Sequence, residues 1–100
     1  MKKETVDSEK VVERKLVELV KINGGMCIKL LCDQLIGLPD RMCLFPGHKI
    51  VFVELKTTGR KPKRIQLFMH DKLRALGFRV EVIDSIEGVE QFIDSIIYDK

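Results

Sequence analysis

A chain of 100 residues, 45% hydrophobic and 33% charged, reads as one domain (1–100) with a single core. Its formal net charge of +3 permits a nucleic-acid partner but does not argue for one, because the distribution of charge matters more than the sum. Three cysteines, Cys27, Cys32 and Cys43, with no C-x-x-C pair, exclude a disulfide framework and a zinc knuckle and read as reduced thiols packed in strands.

Residues 1–7 are polar. Over 8–22 the apolar positions Val11, Val12, Leu16, Leu19, Val20 and Ile22 recur at helical spacing, with Ser8 or Asp7 as cap and Asn23-Gly24-Gly25 as terminator. Residues 26–32 read as a buried strand carrying one lysine, Lys29, and 33–39 as a loop. Strands follow at 41–45 and 49–56, joined by a short Pro46-Gly47-His48 hairpin turn. Residues 57–62 are a loop by composition. Ile65, Phe68, Met69, Leu73 and Leu76 mark a helix over 63–76 that Gly77 ends. A fourth strand is predicted at 78–83. Asp84 or Ser85 then caps a last helix with the apolar face Ile86, Val89, Phe92, Ile93, Ile96 and Ile97. The order α-β-β-β-α-β-α, with a hairpin and then a right-handed helical crossover, predicts an α/β fold: a mixed sheet with helices on both faces. No apolar run approaches the roughly 20 residues of a membrane span. Met1-Lys2-Lys3-Glu4 is not followed by an apolar leader core, so a cytoplasmic protein is expected.

The chemistry gathers at Asp40, Glu54 and Lys56. Alternation on the third strand puts Ile50, Phe52, Glu54 and Lys56 on one face and Val51, Val53 and Leu55 on the other. An antiparallel hairpin lays the start of the second strand beside the end of the third, so Asp40 and Glu54 meet. Two converging carboxylates suit Mg²⁺ or Mn²⁺, and the Leu55 carbonyl lies between the side chains as a further oxygen. Such an ion activates water and stabilises charge on a phosphoryl oxygen. Lys56 would orient or deprotonate the attacking water, or stabilise the pentavalent phosphorus; sequence does not choose. Glu-x-Lys alone is common and reads more often as a surface ion pair; the upstream Pro39-Asp40 and the hairpin between shift the weight towards a site. Glu13, bordering the core-facing stripe of the first helix, is an outer ligand through water or an ordinary solvated residue. Lys29 is a phosphate contact or a snorkelling edge lysine. Gln66, opening the second helix, bonds to the carboxylates or a phosphate, or is solvated. Arg60, Lys61, Lys63 and Arg64 follow Lys56 at once, the placement that contacts to a nucleic-acid backbone require. Arg41 and His48 would extend that patch. A histidine-based metal or nucleophile site is not expected from His48 and His70.

Glu13-Arg14-Lys15-Leu16-Val17, Gly24-Gly25, Gly37-Leu38-Pro39-Asp40-Arg41, Val51-Phe52-Val53-Glu54-Leu55-Lys56, Gln66 and Leu73-x-x-Leu76-Gly77-Phe78-x-Val80 together resemble the VRR-NUC family of the PD-(D/E)XK nuclease superfamily. Its members are stand-alone phage and bacterial proteins and the C-terminal nuclease domain of a eukaryotic crosslink-repair enzyme. The resemblance covers nearly the whole chain. It implies a restriction-endonuclease-like αβββαβ core with an extra C-terminal helix. It also implies a metal-dependent DNA endonuclease with Glu13, Asp40, Glu54 and Lys56 as active site and Mg²⁺ or Mn²⁺ as cofactor. Small stand-alone members of this kind are homodimers resembling Holliday junction resolvases, so branched or four-way-junction DNA is the expected partner, in the cytoplasm of a bacterial or phage-infected cell. A two-fold dimer supplies two sites for two strands from one small chain. A nicking or flap endonuclease keeps the chemistry and changes the target; a non-catalytic nucleic-acid-binding module would make Glu54 and Lys56 a structural pair.

Overall fold

The structure, a computed structural model, describes residues 5–98. The polar start at 1–4, on which the expectation of a leaderless chain rests, lies outside the described residues. The elements are α1 (Glu9–Ile22), β1 (Met26–Lys29), β2 (Arg41–Phe45), β3 (Lys49–Leu55), α2 (Arg64–Ala75), β4 (Arg79–Ile83) and α3 (Ile86–Ile97). The sheet order is β1-β2-β3-β4. The first three strands are antiparallel neighbours, and β4 joins β3 in parallel after the α2 crossover, as the order of elements predicted.

The first and last helices form where apolar period and cap agree. Ser8 Oγ accepts the Val11 N–H at the start of α1, and Ser85 Oγ accepts the Gly88 N–H at the start of α3. α1 and α3 pack on one another and on the same face of the sheet. Val12, Leu16 and Val20 meet Val89, Phe92, Ile93 and Ile96 over Cys43, Phe45, Val51, Val53, Leu55 and Ile83, and all of these are buried. The other face carries Phe52, Glu54, Val80 and Val82, with α2 laid across it, and Phe52 meets Phe78 edge-on at 5.5 Å.

Two expectations are corrected. The predicted strand 26–32 stops at Lys29, because its partner β2 begins at Arg41, directly opposite Lys29. Beyond that pair a single bond, from Leu30 N–H to the Asp40 carbonyl, closes the neck of an irregular loop. Cys32 therefore lies exposed in that loop and not in a strand. On α2, Ile65 and Phe68 are exposed, as is Leu76 at its C-cap, while Met69 and Leu73 are half-buried and the one fully buried side chain of the helix is His70.

Gly25, between α1 and β1, is the point of closest approach. Its N–H bonds to the Val20 carbonyl at 2.9 Å. A Cβ there would collide with the Leu44 carbonyl oxygen and sit 2.9 Å from Val20 Cγ1. Gly25→Ala is expected to lower stability by about 1–3 kcal/mol through overpacking. Urea unfolding monitored by circular dichroism measures it, and an unchanged midpoint would refute the close approach.

Candidate active site

Glu54 is the centre of the constellation. As the sequence alternation required, it points to the α2 face of the sheet, opposite to Val53 and Leu55. It is only 1% exposed. Its Oε2 accepts a hydrogen bond from Gln66 Nε2 at 2.9 Å and stands 3.4 Å from Lys56 Nζ. The Gln66 amide is oriented from its other end, because Oε1 accepts the Lys63 N–H at 2.8 Å, half of a capping box at the start of α2. Of the readings open for Gln66, contact with the carboxylate is the one the structure contains. Glu54 Oε1 faces His70 Nε2 at 3.6 Å, and neither atom has a hydrogen-bond partner.

Asp40 reaches the same spot from the neck of the 30–40 loop. Its Oδ2 accepts the Leu55 N–H at 2.7 Å, which pins the carboxylate to the end of β3. The loop is held by fit. Pro39 is buried, and Gly37, at φ +89°, passes so close to the start of α2 that a Cβ would stand 2.6 Å from the Ile65 carbonyl oxygen. The hairpin register pairs Arg41 with Val53, so Asp40 is one step beyond it, beside Glu54. The predicted convergence of Asp40, Glu54 and Lys56 is present.

Glu13 takes a different position. It is bound by Arg41, whose Nε donates to Glu13 Oε2 at 3.2 Å and whose Nη2 approaches it to 3.1 Å, while Nη1 donates to the Cys27 carbonyl. Arg41 shares the face of Val53 and Cys43, under α1, with its guanidinium engaged by Glu13 and the Cys27 carbonyl. Lys29, opposite Arg41 at the end of β1, is exposed.

Arg60, Lys61, Lys63 and Arg64 are exposed beside the site. A cleft of about 250 Å³ brings Arg60, Lys61 and Lys63 together with Lys56, and is also lined by Glu9 and Thr57. The loop bearing these cations is knotted to two other segments. Thr58 Oγ1 accepts the Asp7 N–H at 2.8 Å and donates to the Asp84 carbonyl at 2.6 Å. Gly59 N–H donates to Asp84 Oδ2 at 2.9 Å, and Asp7 Oδ2 accepts the Ile86 N–H at 2.8 Å. Asp7, Thr58 and Asp84 thus shape the site from outside the motif. No sequence signal links them, since their partners lie far along the chain. His70 did carry a signal: it is four residues after Gln66, hence on the same helix face.

Burial, and next the Asp40 charge, push the Glu54 carboxyl up to about 7; Lys56 opposes the shift. Two crowded carboxyls, one buried oxygen without a partner and a flanking ammonium are what a small divalent cation would relieve. Among the described residues no group of three or more His, Cys, Asp or Glu is placed to hold a metal ion. A pair suffices for Mg²⁺, which commonly takes one or two carboxylates and completes its shell with water and substrate phosphate. The donors therefore fit a hard divalent cation, with Asp40 and Glu54 as the residues that would hold it.

The chain is 43% identical over 77 residues to a protein of Acyrthosiphon pisum secondary endosymbiont phage 1 described as "Putative nuclease p44", an alignment spanning 77% of this chain and 83% of the relative. Its fold is similar to a solved VRR_NUC domain, with a TM-score of 0.80 and 28% identity, covering 94% of this chain and 100% of the other. No family model matches the sequence. Sequence and fold together place the protein among the nucleases. It belongs to the VRR-NUC family.

Because Glu54 binds its proton more tightly when folded, the cation-free protein loses stability as pH rises from the ordinary glutamate value of 4.5 through about 7. Glu54→Gln removes that loss. In urea titrations with EDTA the variant should gain roughly 2–4 kcal/mol on the wild type between pH 4 and pH 8. A stability difference that stays constant over this range would mean that Glu54 is not strained.

Proposed function

We propose that this protein is a Mg²⁺- or Mn²⁺-dependent endonuclease that hydrolyses phosphodiester bonds in branched DNA. The observation that carries the reading is the buried Glu54 carboxylate, crowded by Asp40 and flanked by Lys56. In this reading residues 1–100 act as one nuclease domain. Asp40 and Glu54 hold the cation, with the Leu55 carbonyl as a third oxygen. The bound ion would supply Lewis acidity and a lowered pKa for water. Lys56 sits next to Glu54 with its side chain largely shielded, where its ammonium can orient the attacking water or stabilise charge on phosphorus. Glu13 acts at one remove, through water or through Arg41. Arg60, Lys61, Lys63, Arg64 and Lys29 would hold flanking phosphates. These contacts are sequence-independent, so selectivity must come from DNA shape.

A homodimer is part of the reading. Ile65, Leu67 and Phe68 on α2, Leu76 at its C-cap, and Leu35 and Ile36 in the 30–40 loop are exposed apolar side chains, and that loop passes beside Ile65 at Gly37. Two active sites related by a two-fold axis would suit symmetric incision of a junction.

The test is incubation of the pure protein with labelled four-way junction, flap and linear duplex, with Mg²⁺, Mn²⁺ or EDTA. Metal-dependent cutting with the junction preferred is expected; a flap preference would redirect the substrate assignment, and no cutting of any substrate would leave a binding module. Asp40→Asn and Glu54→Gln should each lower the cleavage rate by more than about 100-fold, beyond the loss typical for a residue that only supports a metal ligand. Junction binding in EDTA should persist in both. Normal cutting by either variant would remove that residue from the site. Light scattering at micromolar concentration reads the oligomeric state, and a monomer would end the two-site reading.

A further inference from the structure

His70 is fully shielded from solvent, yet both its ring nitrogens are without hydrogen-bond partners. Buried polar groups in this condition are rare and call for a cause. The nearest acceptor is Glu54 Oε1, 3.6 Å from Nε2 and itself unpartnered. The second carboxylate oxygen is already taken by Gln66, one turn earlier on α2. Helical spacing thus brings two donors from one face of α2 to the two oxygens of one carboxylate. A neutral imidazole carries a single N–H, so only one of its two ring nitrogens can donate. Polar contacts in ligand-free sites are commonly long and tighten on loading, which accommodates the 3.6 Å separation.

We propose that His70 is a positioning residue: its Nε2–H is the donor for Glu54 Oε1, and with Gln66 it clamps the carboxylate in one orientation towards a divalent cation. Each carboxylate oxygen has a second lone pair, so the clamp leaves Glu54 able to ligate. A free carboxylate would rotate and trade the cation for Lys56. The clamp removes that choice from a side that DNA does not reach, because His70 is wholly buried. This inference rests on the reading of Glu54 as a metal ligand.

Two measurements test it. Nitrogen-15 NMR of the cation-free wild type should show His70 protonated on Nε2, with that resonance moving in Glu54→Gln; protonation on Nδ1 would overturn the clamp without any variant at position 70. Calorimetric Mn²⁺ titrations compare wild type, His70→Leu and His70→Gln, the last retaining a donor. Leucine should weaken Mn²⁺ binding by about 10-fold or more, and glutamine should restore it to within about 3-fold of wild type. DNA binding in EDTA should be equal in all three. If the wild type binds Mn²⁺ and leucine binds it as well, or glutamine is as poor as leucine, the clamp is wrong and the metal reading survives. If the wild type binds no Mn²⁺, the metal reading fails and takes the clamp with it. Should His70→Leu not fold, the tautomer and the glutamine variant still decide.

Discussion

The fold around this site is organised by one expensive act, the burial of a carboxyl group. A carboxylate taken out of water must be matched by donors or cations, or it keeps its proton. Glu54 draws in a partner from almost every direction. Gln66 and His70 come from the helix above it, Lys56 from the end of its own strand, and Asp40 from the loop neck just before the neighbouring strand. The matching is incomplete: Glu54 Oε1 and both ring nitrogens of His70 have no hydrogen-bond partner.

The topology explains how so short a chain gathers these groups. The β2–β3 hairpin brings Asp40 back to Glu54, and the crossover through α2 roofs the same strand end with Gln66 and His70. The opposite face of the sheet is given over to packing, with α1 and α3 covering Cys43, Val51, Val53 and Leu55. Chemistry and core are thus on opposite sides of β3, separated by the two-residue alternation of a strand. Arg41 spans the boundary between them, tying Glu13 to the sheet.

What could be read in advance depended on range. The Asp40–Glu54 meeting was legible because hairpin register is local: once Arg41 pairs with Val53, the next step is settled. The apolar spacing of α2 marked the helix without settling which way it faces. Met69 and Leu73 are half-buried on the side that carries Gln66 and His70, while Ile65, Phe68 and Leu76 are outside. The overlong first strand arises because Leu30 and Leu31 are apolar enough for a strand but have no neighbouring strand to pair with. The Thr58–Asp84 contacts were invisible, because nothing in composition announces a hydrogen bond across 26 residues.

Those last contacts bear on how the cations of the 57–62 loop can work. An unanchored loop would lose conformational freedom each time it gripped a polyanion, at roughly 1–2 kcal/mol for every residue newly fixed. Here Asp7 and Asp84 hold the loop through Thr58 and Gly59 in the protein alone, so that entropy is already surrendered at folding. On the proposed reading, a phosphate chain arriving at Arg60 and Lys61 would meet a loop already tied down at Thr58 and Gly59. Its attraction would then be governed by charge spacing and salt, with little induced fit, and the loop would favour backbones already bent to its shape.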